Sequence, residues 1–228
     1  QLDFDEEVAF HSQRKLYDLA RGGNEQPFFM TVSFTHPHDP FAISQNFWNR
    51  YKPKDIDMPA VPPIPYDQLD PHSRRLYHVC ALGDYAQTEE RVRNARHAYY
   101  GMISYIDDKI GLLLQALENT GLRDNTIILF ISDHGEMLGE RGLWYKMSFF
   151  EWSARVPIVF HAPGRFAPRR VNRPVSLVDL LPTLTEIASN GKSPTYVDTL
   201  DGQSLLPELK GKAAENSAAV YGEMLGEG

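Results

Sequence analysis

The sequence has one cysteine, Cys80, in 228 residues, so no disulfide can form within the chain. No apolar run approaches the roughly 20 residues that a transmembrane helix needs. Positive charge is in deficit, because the chain has 23 lysines and arginines and 30 aspartates and glutamates, which gives a net charge of −7. Lysine and arginine do not cluster locally either. We therefore expect neither nucleic acid nor a membrane as a partner.

The N-terminal stretch 1–7 lacks an initiator methionine, a basic region and an apolar region. We expect from this a cytoplasmic protein, and a sequence that is cut from a longer chain. Hydrophobic residues make up 42% and charged residues 23%, which is the composition of a folded globular domain.

Apolar periodicity and turn residues predict alternating helices and strands. Helices are expected over 6–21, 88–119 and 178–188. Strands are expected over 28–34, 126–131, 156–160 and 218–222. The prolines of 52–71 predict an extended loop. The alternation predicts an α/β fold with a largely parallel sheet flanked by helices, and ligands in such folds bind beyond the carboxyl ends of the strands.

Asp133 and His134 come directly after one predicted strand, and Gly135 follows them. A neighbouring carboxylate and imidazole can bind one metal ion if the backbone bends there, and glycine permits the bend. Zn²⁺ or Mn²⁺ suits this pair, and Mg²⁺ or Ca²⁺ suits it where further carboxylates surround the ion. The alternative is an aspartate that caps the next helix beside a hydrogen-bonded histidine.

His38 lies in a second polar cluster, 35–40, in which two prolines stiffen the backbone and help to aim an imidazole. This histidine could give a proton to a leaving group or a hydrogen bond to an anion. The alternative is a turn that carries surface histidines.

Lys146 and Trp144 follow the Asp-His pair after a short loop. The lysine ammonium is a mobile point charge that could reach an anion. Trp144 opens the aromatic-rich stretch 144–152, which could bind a cationic substrate by cation–π attraction or could simply pack in the core.

Taken together, the motifs resemble the sulfatases of the alkaline phosphatase superfamily. The similar segments follow the family's order along nearly the whole chain and comprise 35–40, 99–111, 126–142, 155–158, 178–183 and 201–205. Segments 36–41 and 135–150 are most similar to the choline-sulfatase branch. The resemblance implies an alkaline-phosphatase-like fold, hydrolysis of a small-molecule sulfate ester and a homo-oligomer.

The resemblance also implies roles for single residues. Asp133 and His134 match the family's second pair of ligands to a divalent metal, which would be Ca²⁺, Mg²⁺ or Mn²⁺. His38 matches the histidine that contacts the sulfate and helps the leaving oxygen depart, and Lys146 matches the lysine that neutralises sulfate oxygens. For a quaternary ammonium group, Glu223 is the candidate carboxylate and Trp144 the candidate aromatic.

The sequence also departs from the family's pattern. It has no Cys/Ser-x-Pro-x-Arg motif, whose first residue becomes the formylglycine nucleophile, and it lacks the family's first metal-binding Asp pair. We therefore expect residues 1–228 to be the middle-to-C-terminal part of a sulfatase catalytic domain, without its nucleophile-bearing part and inactive alone. Two alternatives remain: a phosphodiesterase or phosphonate monoester hydrolase of the same superfamily, and a non-catalytic fragment that self-associates through an unpaired sheet edge.

Overall fold

The computed structural model describes residues 1–22, 26–192, 195–196, 198–212 and 219–223. The chain forms two compact units. One comprises Gln1–Thr126 and His134–Arg155, and the other comprises Ile127–Asp133 and Val156–Gly228. One of the three boundaries between the units falls between Asp133 and His134, so the two predicted metal ligands belong to different units although they are neighbours in sequence.

Helices dominate the first unit, and apolar periodicity predicts the two longest of them. The helix predicted over 6–21 is confirmed and begins earlier, at Leu2. The helix predicted over 88–119 is confirmed with Thr88 as its N-cap, because the Thr88 hydroxyl accepts a hydrogen bond from Arg91 N at 3.3 Å. The helices are α1 (Leu2–Arg21), α2 (Gln45–Trp48), α3 (Pro71–Val79), α4 (Glu89–Asn119) and α5 (Glu151–Ala154).

The long helix α4 organises the core of this unit by packing against α1 and α2. Met102 and Tyr105 on α4 are almost fully buried, and burial of the Met102 side chain contributes about 1.5–3 kcal/mol. Glu6 on α1 accepts hydrogen bonds from Tyr105 Oη at 3.1 Å and from Lys109 Nζ at 2.6 Å. Apolar packing and these polar contacts together fix α1 against α4.

The strand predicted over 28–34 is wrong, because the segment has no helix or strand assignment. Its apolar residues predicted burial, yet Phe29 is 78% exposed and Phe28 is also exposed. A strand needs a hydrogen-bonded neighbour, and the described residues place no strand beside this segment. The proline-rich loop over 52–71 is confirmed, with single 3₁₀ turns at Pro53–Asp55 and Tyr66–Gln68.

The second unit contains a two-stranded sheet, which corrects the expected largely parallel arrangement. Strands β1 (Ile128–Ile131) and β2 (Ile158–His161) lie within or next to the predicted positions but pair antiparallel, with Ile128 opposite His161. A parallel pair needs a crossover that is usually a helix packed on the sheet. Between these strands the chain has a 3₁₀ turn at Glu140–Gly142 and the four-residue helix α5, and both belong to the first unit.

The helix predicted over 178–188 is confirmed as α6 (Leu180–Ala188), after a 3₁₀ turn at Leu177–Asp179. The Asp179 carboxylate caps this turn by accepting from Ser176 N and also accepts from Gln203 N, both at 2.8 Å. A short helix, α7 (Leu206–Leu209), follows. The predicted strand over 218–222 begins outside the described residues, and 219–223 has no strand assignment.

Among the described residues, no helix combines the length and the apolar character that spanning a bilayer requires.

Candidate functional site

The loop that carries His38 is held by a buried aspartate on α1. The Asp5 side chain is fully buried and accepts hydrogen bonds from Thr35 N at 2.7 Å and from His36 N at 2.9 Å. The same carboxylate lies 2.5 Å from Nδ1 of the buried His36. Gln1 Nε2 donates to the carbonyl of His38 at 3.1 Å. The start of α1 therefore fixes the backbone on which His38 stands.

Removal of this anchor is expected to destabilise the chain. Substitution D5A removes the acceptor of two backbone N–H donors and leaves His36 buried without its partner. The free energy of unfolding should therefore fall by about 3–5 kcal/mol. D3A is a matched control, because Asp3 lies exposed on the same helix turn. Urea denaturation monitored by circular dichroism checks this, and equal midpoints for D5A and D3A would contradict the anchoring role.

Lys146 lies against His38, although 108 residues separate them in sequence. The distance from Lys146 Nζ to His38 Nε2 is 2.5 Å. Asp39 joins the pair, with its Oδ1 3.1 Å from His38 Nδ1 and 3.7 Å from Lys146 Nζ. His134 faces His38 with 6.3 Å between the ring centroids. The first unit thus brings together three of the predicted site residues and adds Asp39.

The contacts of His38 assign its tautomer. An ammonium group has only N–H donors, so Lys146 donates and His38 Nε2 accepts. The proton of the neutral ring is therefore on Nδ1, which donates to the carbonyl oxygen of Asp39 at 2.8 Å. The His38 side chain is 42% exposed, so a ligand can approach the pair from solvent.

Glu136 is a carboxylate that holds the loop carrying Lys146. Its Oε1 accepts hydrogen bonds from Tyr145 N at 2.5 Å and from Leu138 N at 3.2 Å. Burial raises the pKa of the Glu136 carboxyl, and the two backbone donors oppose this rise. Gly135 precedes it where the chain approaches α5 closely, because a Cβ at 135 would meet Trp152 O at 2.0 Å.

Asp133 and His134 lie in the loop that follows β1. Asp133 is exposed, and His134 Nδ1 lies 2.8 Å from the carbonyl of Gly135. In the described parts of the chain, no three side chains of the His, Cys, Asp and Glu types come together as a metal site. The two residues fit as donors by their chemistry, but Mg²⁺ or Ca²⁺ takes at least six ligands. Their role as metal ligands stays a prediction.

Trp144 packs among aromatic side chains. Its ring lies 6.1 Å from that of Phe41, which in turn lies 5.9 Å from Tyr99. The indole N–H donates to Gln87 Oε1 at 2.9 Å. Burial, helped by the charge of Glu136, raises the pKa of Tyr99 to about 12. Both suggested roles of Trp144, packing and substrate contact, are compatible with this position.

Glu223 lies in the second unit, exposed and outside any helix or strand. Its role as a partner for a cation stays a prediction.

The sulfatase family model matches residues 3–190. The chain belongs to the sulfatase family. It is 46% identical over 214 residues to the choline-sulfatase of Rhizobium meliloti (strain 1021), a match that covers 92% of this chain and 41% of that protein.

Solved structures of the same superfamily share the fold. The phosphonate monoester hydrolase SpPMH from Silicibacter pomeroyi superposes with a TM-score of 0.76 at 27% identity, over 92% of this chain and 42% of that one. The phosphonate monoester hydrolase of Agrobacterium radiobacter superposes with a TM-score of 0.74 at 31% identity, over 92% and 43%. The chain thus spans about two fifths of the length of these relatives.

Three residues that shape the site had no assigned role in the sequence. Asp39 was detectable as a carboxylate directly after His38, within the polar cluster itself. Asp5 and Glu136 accept hydrogen bonds from backbone N–H groups that are distant from them in sequence. No local pattern of residue types therefore predicts their role.

Proposed function

We propose that this chain provides the part of a sulfatase active site that binds the sulfate group and assists the leaving group, and that the substrate is choline sulfate. The products would be choline and sulfate. The observation that carries the proposal is the 2.5 Å contact between Lys146 Nζ and His38 Nε2, on an exposed face of the first unit. The 46% identity to a choline-sulfatase supports the choice of substrate.

Lys146 would neutralise charge that develops on the sulfate oxygens. A sulfate oxygen can replace His38 Nε2 as the acceptor of the Lys146 ammonium proton. The ammonium charge is then already in position when charge develops on the sulfate oxygens. An ammonium group is well suited to this because it is a compact charge with three donors.

His38 would give a proton to the leaving oxygen as the bond between sulfur and that oxygen breaks. For this it must carry a proton on Nε2 in addition to the one on Nδ1. The Asp39 carboxylate oxygen lies 3.1 Å from Nδ1 and can accept a hydrogen bond from that ring N–H while Nε2 acts as the proton donor. The proton then passes from Nε2 to the departing oxygen, and the ring returns to the neutral form.

In this proposal, the nucleophile and the remaining metal ligands would come from outside the described residues. Asp133 and His134 would hold a Ca²⁺, Mg²⁺ or Mn²⁺ ion together with further ligands. Such an ion, when bound, supplies additional positive charge to the sulfate group. The sequence contains no formylglycine motif. Glu223 and Trp144 are the proposed contacts of the choline ammonium.

A substrate comparison with the whole-length protein that contains this sequence tests the proposal. We expect kcat/KM for choline sulfate to exceed that for 4-nitrophenyl sulfate at matched pH. Substitution E223Q should raise KM for choline sulfate and leave KM for the aryl sulfate, which has no ammonium group, within about twofold. Preference for the aryl ester over choline sulfate would contradict the choice of substrate.

Phosphonate monoester hydrolysis is the second candidate, because two enzymes of that activity superpose on this chain with TM-scores of 0.76 and 0.74. Phenyl phosphonate monoester as a third substrate in the same assay distinguishes the two activities. A higher kcat/KM for the phosphonate ester than for either sulfate ester would favour this candidate.

A further inference from the structure

We propose that Glu136 is a positioning residue that sets Lys146 beside His38 through the backbone of Tyr145. This inference rests on the proposed function, because it assigns a role within the same site. Glu136 does not touch the reacting groups in the proposal. It holds the residue that directly precedes the lysine.

Tyr145 is fixed at both of its backbone polar groups. Its N–H donates to Glu136 Oε1 at 2.5 Å, and its carbonyl accepts from Met137 N at 2.8 Å. Glu136 is itself held, because its own N–H donates to the carbonyl of Trp152 at 2.8 Å. The carboxylate therefore links a fixed point of the chain to the residue before Lys146.

The backbone on both sides of Lys146 needs such support. Tyr145 has φ of 69° and Met147 has φ of 62°, and both are non-glycine residues in the left-handed region. This conformation is unfavourable for residues with a Cβ and persists only where surrounding contacts impose it. A relaxed loop would carry the Lys146 side chain away from His38, and a displacement of about 1 Å can cost about 10²-fold in rate.

Glu140 offers a matched control in the same segment. It is a buried carboxylate that also accepts two backbone hydrogen bonds, from Ala60 N at 3.0 Å and from Val61 N at 2.8 Å. Those bonds hold the proline-rich loop and not the residue before Lys146. Loss of Glu140 should therefore affect stability without moving the lysine.

The test compares E136M, E136Q and E140M in the whole-length protein with choline sulfate as substrate, at a temperature where all three are folded. E136M should lower kcat by about 10²-fold. E136Q should recover most of that loss, because its amide oxygen can accept from both Tyr145 N and Leu138 N. E140M should lower the unfolding midpoint and leave kcat within about threefold of the unsubstituted protein. E136D, which shortens the side chain, replaces E136M if the latter does not fold.

A double substitution separates positioning from a general structural effect. If Glu136 acts through Lys146, E136M/K146A should lose no more kcat than K146A alone. Additive losses, equal kcat losses in E136M and E140M, or full kcat in E136M would each overturn the inference. Full kcat in K146A itself would instead overturn the proposed function, so the two failures are distinguishable.

Discussion

Replacing Lys146 with alanine is expected to lower kcat for choline sulfate by about 10²–10³-fold in the whole-length protein, which is the usual cost of removing one donor to a developing oxyanion. The ammonium group lies 2.5 Å from His38 Nε2 and is only 24% exposed, so it is already placed and partly shielded from solvent. In the proposed function, its loss would remove positive charge at the transferring group, and it would also remove the donor that contacts His38.

Two substitutions control for this expectation. K54A removes an exposed lysine of the proline-rich loop and should leave kcat unchanged within about twofold. K146R keeps the positive charge but replaces a compact ammonium with a planar guanidinium, so it should retain part of the activity. A kcat for K146A within about threefold of the unsubstituted protein would show that Lys146 does not act on the transferring group.

The 228-residue chain by itself is expected to release no detectable sulfate from choline sulfate. Its sequence contains no Cys/Ser-x-Pro-x-Arg motif, and its single cysteine, Cys80, is followed by Ala-Leu-Gly-Asp. Burial raises the pKa of the Cys80 thiol, which makes it a poor nucleophile at neutral pH. In the part of the chain that the structure describes, no three side chains of the His, Cys, Asp and Glu types come together as a metal site either.

Ion chromatography of released sulfate checks this expectation, with the H38A chain as the background. Turnover by the 228-residue chain above that of H38A would show that these residues alone contain a nucleophile. That result would require a different reaction path from the one that the family's formylglycine motif implies.

The helices could be predicted from the sequence because their signals are local. The apolar spacing of 99–117 and the threonine at position 88 predicted α4 nearly to its ends. The strands could not be predicted equally well, since pairing depends on a distant partner. Residues 28–34 have the composition of a buried strand, but without a hydrogen-bonded neighbour they remain irregular and partly exposed.

Two central residues of the candidate site could be predicted from the sequence, but the distances between the site residues could not. Resemblance to the sulfatases named His38 and Lys146, whereas only the fold shows that they touch. It also shows that Glu136 holds the lysine loop, and this contact depends on turns with left-handed residues such as Tyr145. No residue pattern in the sequence predicts those turns.

The central claim is that His38 and Lys146 act as one unit on the sulfate ester, and a double-mutant cycle tests it most directly. The measurement is kcat/KM for choline sulfate with the unsubstituted whole-length protein, H38A, K146A and H38A/K146A. Groups that act together are strongly non-additive, so the double variant should lose no more than about threefold beyond the worse single variant. Losses that multiply across the two substitutions, or no loss in either single variant, would contradict the account.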